Sequence, residues 1–368
     1  MSGLPSALAS PAAAACWFVP DRARYGRGAL PAEAWLRRLA ALNRLVAASC
    51  IQSAGHGWLG ASYSVAEILT TLYFGCGERQ IVLSKGHAAA MQYACLYGLG
   101  LLEREQLLAY QDGPAALQAH TDRRTPGILL DTGSLGQALS RVAGLALADR
   151  ERSLFVVLGD GELQEGQCWE AFQTVVQHNL TGLTVIVDCN GQQTAGPVSA
   201  VKRIADLAAV GEGLGFSVRE IDGSSPLELL ACLSEPPARP RLLLARTRKA
   251  GGSPLLLELA AAGRAPGGWH STVPDEATYL RLLEEQALAS GDPDLVAELR
   301  QFLTRRVAPP LRPPAAKAGS TGAAFAQELA RLMTERPDLV ALDADLAQPC
   351  GIDGFARAGH PFLELGIA

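Results

Sequence analysis

The sequence predicts an α/β protein, a doubly wound parallel sheet followed by the start of a second α/β unit, and three observations carry that prediction. Short apolar runs without polar alternation recur at 154–158 (LFVVL), 183–187 (LTVIV) and 241–246 (RLLLAR), the pattern of strands buried on both faces. Between them lie stretches of helical period, one of which puts Trp169, Phe172 and Val176 on a single face. A proline-rich stretch then precedes a fresh helix and strand.

The elements follow in order. Residues 1–30 read as a tail, because the Ala-rich start is broken by Pro5 and Pro11 and lacks the basic flank of a signal sequence. The first domain spans 31–274 and contains the runs above together with FSVREID at 216–222. Residues 275–316 form a helical segment (275–306) and a stiff linker, within VAPPLRPPAAKAGS at 307–320. Residues 317–368 begin a second domain and leave it incomplete: a helix ends near Pro337, a strand covers 339–342, and PFLELGIA runs from a strand at Phe362–Leu365 into a turn at Gly366.

Composition narrows the function. With 368 residues, 48% of them hydrophobic, the chain can bury two cores. A net charge of −5 and no Lys/Arg cluster argue against a nucleic-acid or anionic-membrane surface. No apolar run reaches the ~18 residues of a membrane helix. Eight scattered cysteines without a C-x-x-C pair fit reduced thiols and a cytoplasmic location.

The chemistry concentrates in VVLGDGELQEGQCWEAF and VIVDCNGQQTAG. Asp160 follows one strand and Asn190 the next, so one β-α-β step brings both to the carboxyl ends of adjacent strands, where open α/β sheets bind ligands. A carboxylate, an amide oxygen and the Gln192 carbonyl are hard oxygen ligands for a Mg²⁺ that also holds diphosphate oxygens. Gly159 and Gly161 leave room for phosphate, and a helix starting near Leu163 offers its N-terminus. Taken alone, Gly-Asp-Gly also fits a strand-to-helix turn with an N-capping Asp.

From about residue 45 to 368 the chain resembles the transketolases, which use thiamine diphosphate to move two-carbon ketol units. The resemblance rests on SKGHAA (84–89), LQAHTDRRTPGILLDTGSLGQALS (117–140), GDGELQEGQCWEA (159–171), NGQQTAGP (190–197), GWHSTVP (268–274) and LDADLA (342–347). It implies the thiamine-diphosphate-binding fold, with 31–274 as the diphosphate domain and 317–368 as part of a pyrimidine-binding domain. Asp160, Asn190 and the Gln192 carbonyl would hold Mg²⁺. Gly159, Gly161 and His87 would contact the diphosphate, and Gly133, Ser134 and Leu135 would line the aminopyrimidine. His120 and His270 would be catalytic and touch substrate; His270 would also touch the cofactor. Asp345 would stand beside the thiazolium of a neighbouring site, and Glu165 and Glu170 at a dimer interface or in solvent.

The chain departs from the family on the substrate side. An ungapped alignment puts Trp58 where a substrate histidine stands, with His56 two residues earlier. Gly322 replaces an arginine and Pro349 a serine that grip a sugar phosphate; Arg312 or Lys317 could substitute. Loss of charge-assisted bonds costs several kcal/mol, which implies an acceptor other than an ordinary sugar phosphate. In the family, GIA is followed at once by the glutamate that acts on the aminopyrimidine, whereas here Ala368 is last. The expectation is one subunit of a split enzyme in an α2β2 assembly, whose partner brings that glutamate and the C-terminal domain. It would act on a small ketose donor and an aldehyde acceptor. The alternative is a non-catalytic thiamine-diphosphate-binding protein or a truncated chain.

Overall fold

The computed structural model describes residues 15–78, 80–204, 206–265, 267–309 and 321–367. Five strands form one parallel sheet: β1 (Ile81–Leu83), β2 (Leu154–Gly159), β3 (Leu183–Cys189), β4 (Ser217–Asp222) and β5 (Arg241–Arg246), in the order β1-β2-β3-β5-β4. Every residue of β3 is buried, as is all of β2 up to Leu158. Alternate side chains therefore feed two cores. Phe155, Val157, Ile186 and Leu243 join the helices Ala32–Ala54, Ala89–Gly98 and Glu276–Ala289 on one face. Val156, Leu158, Val185 and Leu242 join the helices Gln137–Ala148 and Gly166–Gln177 on the other. Burial on both faces is why these strands show no alternation in sequence.

Two expected boundaries differ. The tail assigned to 1–30 holds from residue 15 onward a packed strap: Phe18 and Val19 are buried and the Trp17 ring meets Tyr279 edge-on at 5.6 Å. The helices Glu276–Ala289 and Pro293–Arg305, expected to join a linker, are part of the first core. Tyr279, Leu282, Leu283, Leu295 and Leu299 are buried there, and the Tyr279 hydroxyl lies 2.8 Å from Ser49 Oγ. In both cases aromatic and leucine side chains remove apolar area from water, at about 25 cal/mol per Å².

The second unit is small. The helix Thr321–Glu335 packs Ala326 and Met333 against β6 (Ala341–Asp343), which pairs in parallel with β7 (Phe362–Glu364). β6 starts two residues later than expected. Leu342 and Leu363 are register partners, so both point to the face away from that helix, and they are 58% and 52% exposed. Val340, Leu346 and Leu365 are exposed as well. Arg312, Lys317 and Ala368 lie outside the described residues, as does the side chain of Pro349.

Candidate active site

Because the strands are parallel, their carboxyl ends share one edge of the sheet, and four of the five deliver polar side chains there. Lys85 and His87 follow β1, Asp160 follows β2, Asn190 follows β3, and Thr247 and Lys249 follow β5. These ends open into a cavity of about 330 Å³, within the range of small-molecule sites.

Asp160 is clamped by the backbone. Its Oδ1 accepts from Gly161 N at 2.9 Å and its Oδ2 from Gly191 N at 2.6 Å. Burial, followed by the neighbouring Asp188 carboxylate, pushes its pKa up from 3.8 to about 6. Asn190 Oδ1 accepts from Gln192 N at 3.0 Å, and the Gln192 carbonyl faces Lys249 Nζ at 3.5 Å. Among the described residues no cluster of three or more His, Cys, Asp or Glu forms a ready-made metal site. A cation held here draws on one carboxylate, one amide oxygen and one carbonyl, and takes its remaining ligands from elsewhere.

Two lysines missed by sequence reasoning line the cavity. Lys85 is 1% exposed, and its Nζ lies 2.5 Å from Asp188 Oδ2. Lys249 is also buried, with Nζ 3.0 Å from His270 Nδ1; burial and then Lys85 depress its pKa to about 7. Three histidines of the cavity are held below the usual imidazole range. His270 is lowered to about 3 by burial and then by Lys249 and Lys85. His87 falls well below its usual range through burial, then Lys85, and its ring stands 5.4 Å from that of His270. His120 is lowered by burial and then His56. A wall of buried lysines and imidazoles can receive an anion with hydrogen bonds and with charge together.

The loop after Thr132 closes the cavity from the side. Gly133 has φ +130°, and a Cβ there would meet the His120 ring at 3.0 Å; a Cβ at Gly86 would meet Thr132 Oγ1 at 2.4 Å. Both glycines therefore permit contacts a larger residue would break. Glu162 ties this loop to the sheet. It is 2% exposed and accepts from Gly136 N at 2.9 Å, from Gly159 N at 3.1 Å and from the Ser84 hydroxyl. Its inward turn makes 161–164 a 3₁₀ turn, so the helix expected from Leu163 begins at Gly166.

The cavity wall brings together most of the residues singled out in the sequence: Asp160, Asn190 and Gln192 on one side, with Gly133, Leu135, Gly159 and Gly161 beside them. His87, His120, His270, Trp58 and Asp345 complete it. The Trp58 ring packs 4.9 Å from His120 and 5.0 Å from His56. Ser134 and His56 are exposed and stand off the wall. Glu165 reaches the cavity, while Glu170 faces solvent on the helix Gly166–Gln177. Asp345, expected beside a neighbouring site, stands at this chain's own cavity. Its carboxylate accepts from Thr194 N at 3.2 Å and Ala195 N at 2.7 Å, two loop donors that draw it inward.

Residues 36–268 match the family described as transketolase, thiamine diphosphate binding domain. An apulose-4-phosphate transketolase subunit from Actinobacillus succinogenes is 33% identical over 267 residues, covering 68% of this chain and 94% of that protein. The 6-deoxy-6-sulfo-D-fructose transketolase subunit SqwG of a Clostridium species is 33% identical over 218 residues, covering 54% and 79%. Human transketolase is 27% identical over 356 residues, and the chain spans only 55% of its length. Among solved structures, the transketolase of Campylobacter jejuni superposes with a TM-score of 0.56 at 23% identity, covering 90% of this chain and 61% of that one; it supports the fold. The match over 36–268, on the sheet edge that carries Asp160 and Asn190, shows that the chain belongs to the transketolase family.

Proposed function

We propose that this chain is one subunit of a split, thiamine-diphosphate-dependent enzyme that transfers a two-carbon ketol unit from a ketose-type donor to an aldehyde acceptor. The observation that carries this is the convergence of Asp160, Asn190, Lys85, Lys249, His87 and His270 on one cavity at the strand ends. That donor set fits a diphosphate with a divalent cation: hard oxygens for Mg²⁺ and buried ammonium groups for the phosphates. Asp160, Asn190 and the Gln192 carbonyl hold the metal, and Lys85, Lys249 and His87 meet the diphosphate. Gly133 and Leu135 flank the aminopyrimidine, whereas Ser134, exposed and off the wall, does not.

When bound, the cofactor supplies the thiazolium carbon that carries the ketol unit between donor and acceptor. The chain's own part is to position and to manage protons. His120 and His270 accept or donate hydrogen bonds at the substrate hydroxyls, and Trp58 presents an apolar wall where the family has a histidine. Relatives named for apulose 4-phosphate and for 6-deoxy-6-sulfo-D-fructose support a substrate other than the ordinary pentose phosphates. So does Gly322, which offers no side chain to a phosphate.

A partner polypeptide completes the unit in a cytoplasmic α2β2 assembly. The bare face of β6 and β7, with Leu342 and Leu363 side by side, supports this, since parallel sheets are covered on both faces. Within the chain, Glu364 is not among the residues lining the cavity, and its Oε1 accepts from Asp345 N at 2.7 Å and Gly366 N at 2.9 Å. Exchange of the thiazolium C2 proton, followed by NMR, tests the proposal. The chain with Mg²⁺ and thiamine diphosphate should show background exchange. Adding the protein encoded immediately downstream should raise it by about 10²- to 10⁴-fold. Fast exchange by the chain alone would overturn the split-site reading.

A further inference from the structure

Asp188, two residues before Asn190 and not among the residues the sequence singled out, is fully buried at the end of β3. Four donors from four segments converge on its carboxylate. Oδ2 accepts from Lys85 Nζ at 2.5 Å, from Ser64 Oγ at 2.7 Å and from Asn190 Nδ2 at 2.9 Å; Oδ1 accepts from the Thr247 hydroxyl. We infer that Asp188 is a positioning residue that decides which end of the Asn190 amide faces the metal and diphosphate.

An asparagine side chain carries a donor and an acceptor on nearly identical arms, and a half-turn about its last bond exchanges them. Facing a cation, the oxygen is a ligand and the NH₂ group is repelled. Nothing intrinsic to Asn190 selects the productive orientation. The Asp188 carboxylate does, since it can only accept: it captures Nδ2, and Oδ1 is left to Gln192 N at 3.0 Å with a lone pair to spare. The neighbours on each side reinforce the selection. Lys85 balances the buried charge, and Ser64 and Thr247 hold the carboxylate in place. Asp188 also helps set the position of Asp160, whose backbone N donates to the Asp188 carbonyl at 3.2 Å. The carboxylate thus acts on the proposed ligands from behind them, as hydrogen-bond partners of metal ligands commonly do.

This inference rests on the metal and cofactor reading above, and the experiment separates the two. In the full chain, thiamine diphosphate binding is titrated calorimetrically against Mg²⁺ for wild type, Asp188→Asn and the exchanged pair Asp188→Asn/Asn190→Asp, with thermal unfolding of each recorded alongside. If wild type shows no Mg²⁺-dependent binding, the cofactor reading itself fails. With wild-type binding established, Asp188→Asn should raise the half-saturating Mg²⁺ concentration by about 10- to 100-fold. The exchanged pair keeps the formal charge and restores a donor–acceptor contact, now from residue 188 to a carboxylate at 190, so it should return to within about threefold of wild type. A purely structural Asp188 would move the unfolding temperature and leave the Mg²⁺ response of the folded protein unchanged. An unchanged response in Asp188→Asn, or a folded exchanged pair that responds no better than the single variant, overturns the inference. Should Asp188→Asn fail to fold, the exchanged pair alone decides: a folded protein with native Mg²⁺ response supports the assignment, and one without it refutes it.

Discussion

Replacing Asp160 by Asn should stabilise the protein without ligands while abolishing its response to Mg²⁺. In the folded chain the carboxyl titrates near 6 rather than 3.8, because it is buried and stands near Asp188. A pKa raised on folding means stability that is full below pH ~4 and lost as pH rises through about 6. At neutral pH that loss is complete, and at 1.36 kcal/mol per unit it amounts to about 3 kcal/mol. Asparagine removes the charge. Its oxygen can still accept from Gly191 N, but its NH₂ group must face Gly161 N, where the carboxylate now accepts at 2.9 Å. Losing that bond costs about 1 to 2 kcal/mol, which leaves a net gain of about 1 to 2 kcal/mol. Urea denaturation followed by far-ultraviolet circular dichroism measures it, with and without Mg²⁺ and thiamine diphosphate. Wild type should gain about 2.7 kcal/mol when ligand stands ~100-fold above its Kd, and the variant should gain none. A variant less stable than wild type at neutral pH, or one that Mg²⁺ still stabilises in full, would refute the reasoning.

Other consequences are as direct. Mg²⁺ needs an ionised Asp160 and the diphosphate a charged Lys249, so cofactor affinity should peak between about pH 6 and 7. It should fall about tenfold per unit on either side, which titration calorimetry across the range would show. Lys249→Met should abolish the alkaline limb and weaken thiamine diphosphate binding by about 10- to 100-fold, the loss of one charge-assisted bond; an unchanged Kd would remove Lys249 from the diphosphate site. Gly86→Ala should push Thr132 and Gly133 outward, since the new Cβ would fall 2.4 Å from Thr132 Oγ1. The cost should be about 1 to 3 kcal/mol in chemical denaturation, with weaker cofactor binding. Ribose 5-phosphate should be a poor acceptor for the assembled enzyme compared with aldehydes lacking phosphate, in steady-state rates. A clear preference for the phosphorylated aldehyde would return the protein to ordinary pentose chemistry.

The sequence by itself determined whatever depends on local pattern. Uninterrupted apolar runs mark β2, β3 and β5 because a strand buried on both faces has no solvent side to advertise. Asp160 and Asn190 were legible because turn glycines and strand ends set them at a readable spacing. Short β1 passed unnoticed for the opposite reason: three residues, Ile81–Leu83, carry too little periodicity. The strap at 15–30 and the helices after 275 looked separable because periodicity names an apolar face and not the surface it meets. Only the tertiary structure paired Tyr279 with Ser49 and Trp17. The same limit hid half of the site. In the sequence Lys85, Asp188 and Lys249 are ordinary charged residues, and Glu162 is one of two acids in ELQEG. Their chemistry arises when four strand ends converge and exclude water, which pairs Lys85 with Asp188, brings Lys249 near neutrality and turns Glu162 into a loop anchor. A side chain's identity is local, but its charge state and its partners depend on burial and on neighbours about a hundred residues away along the chain.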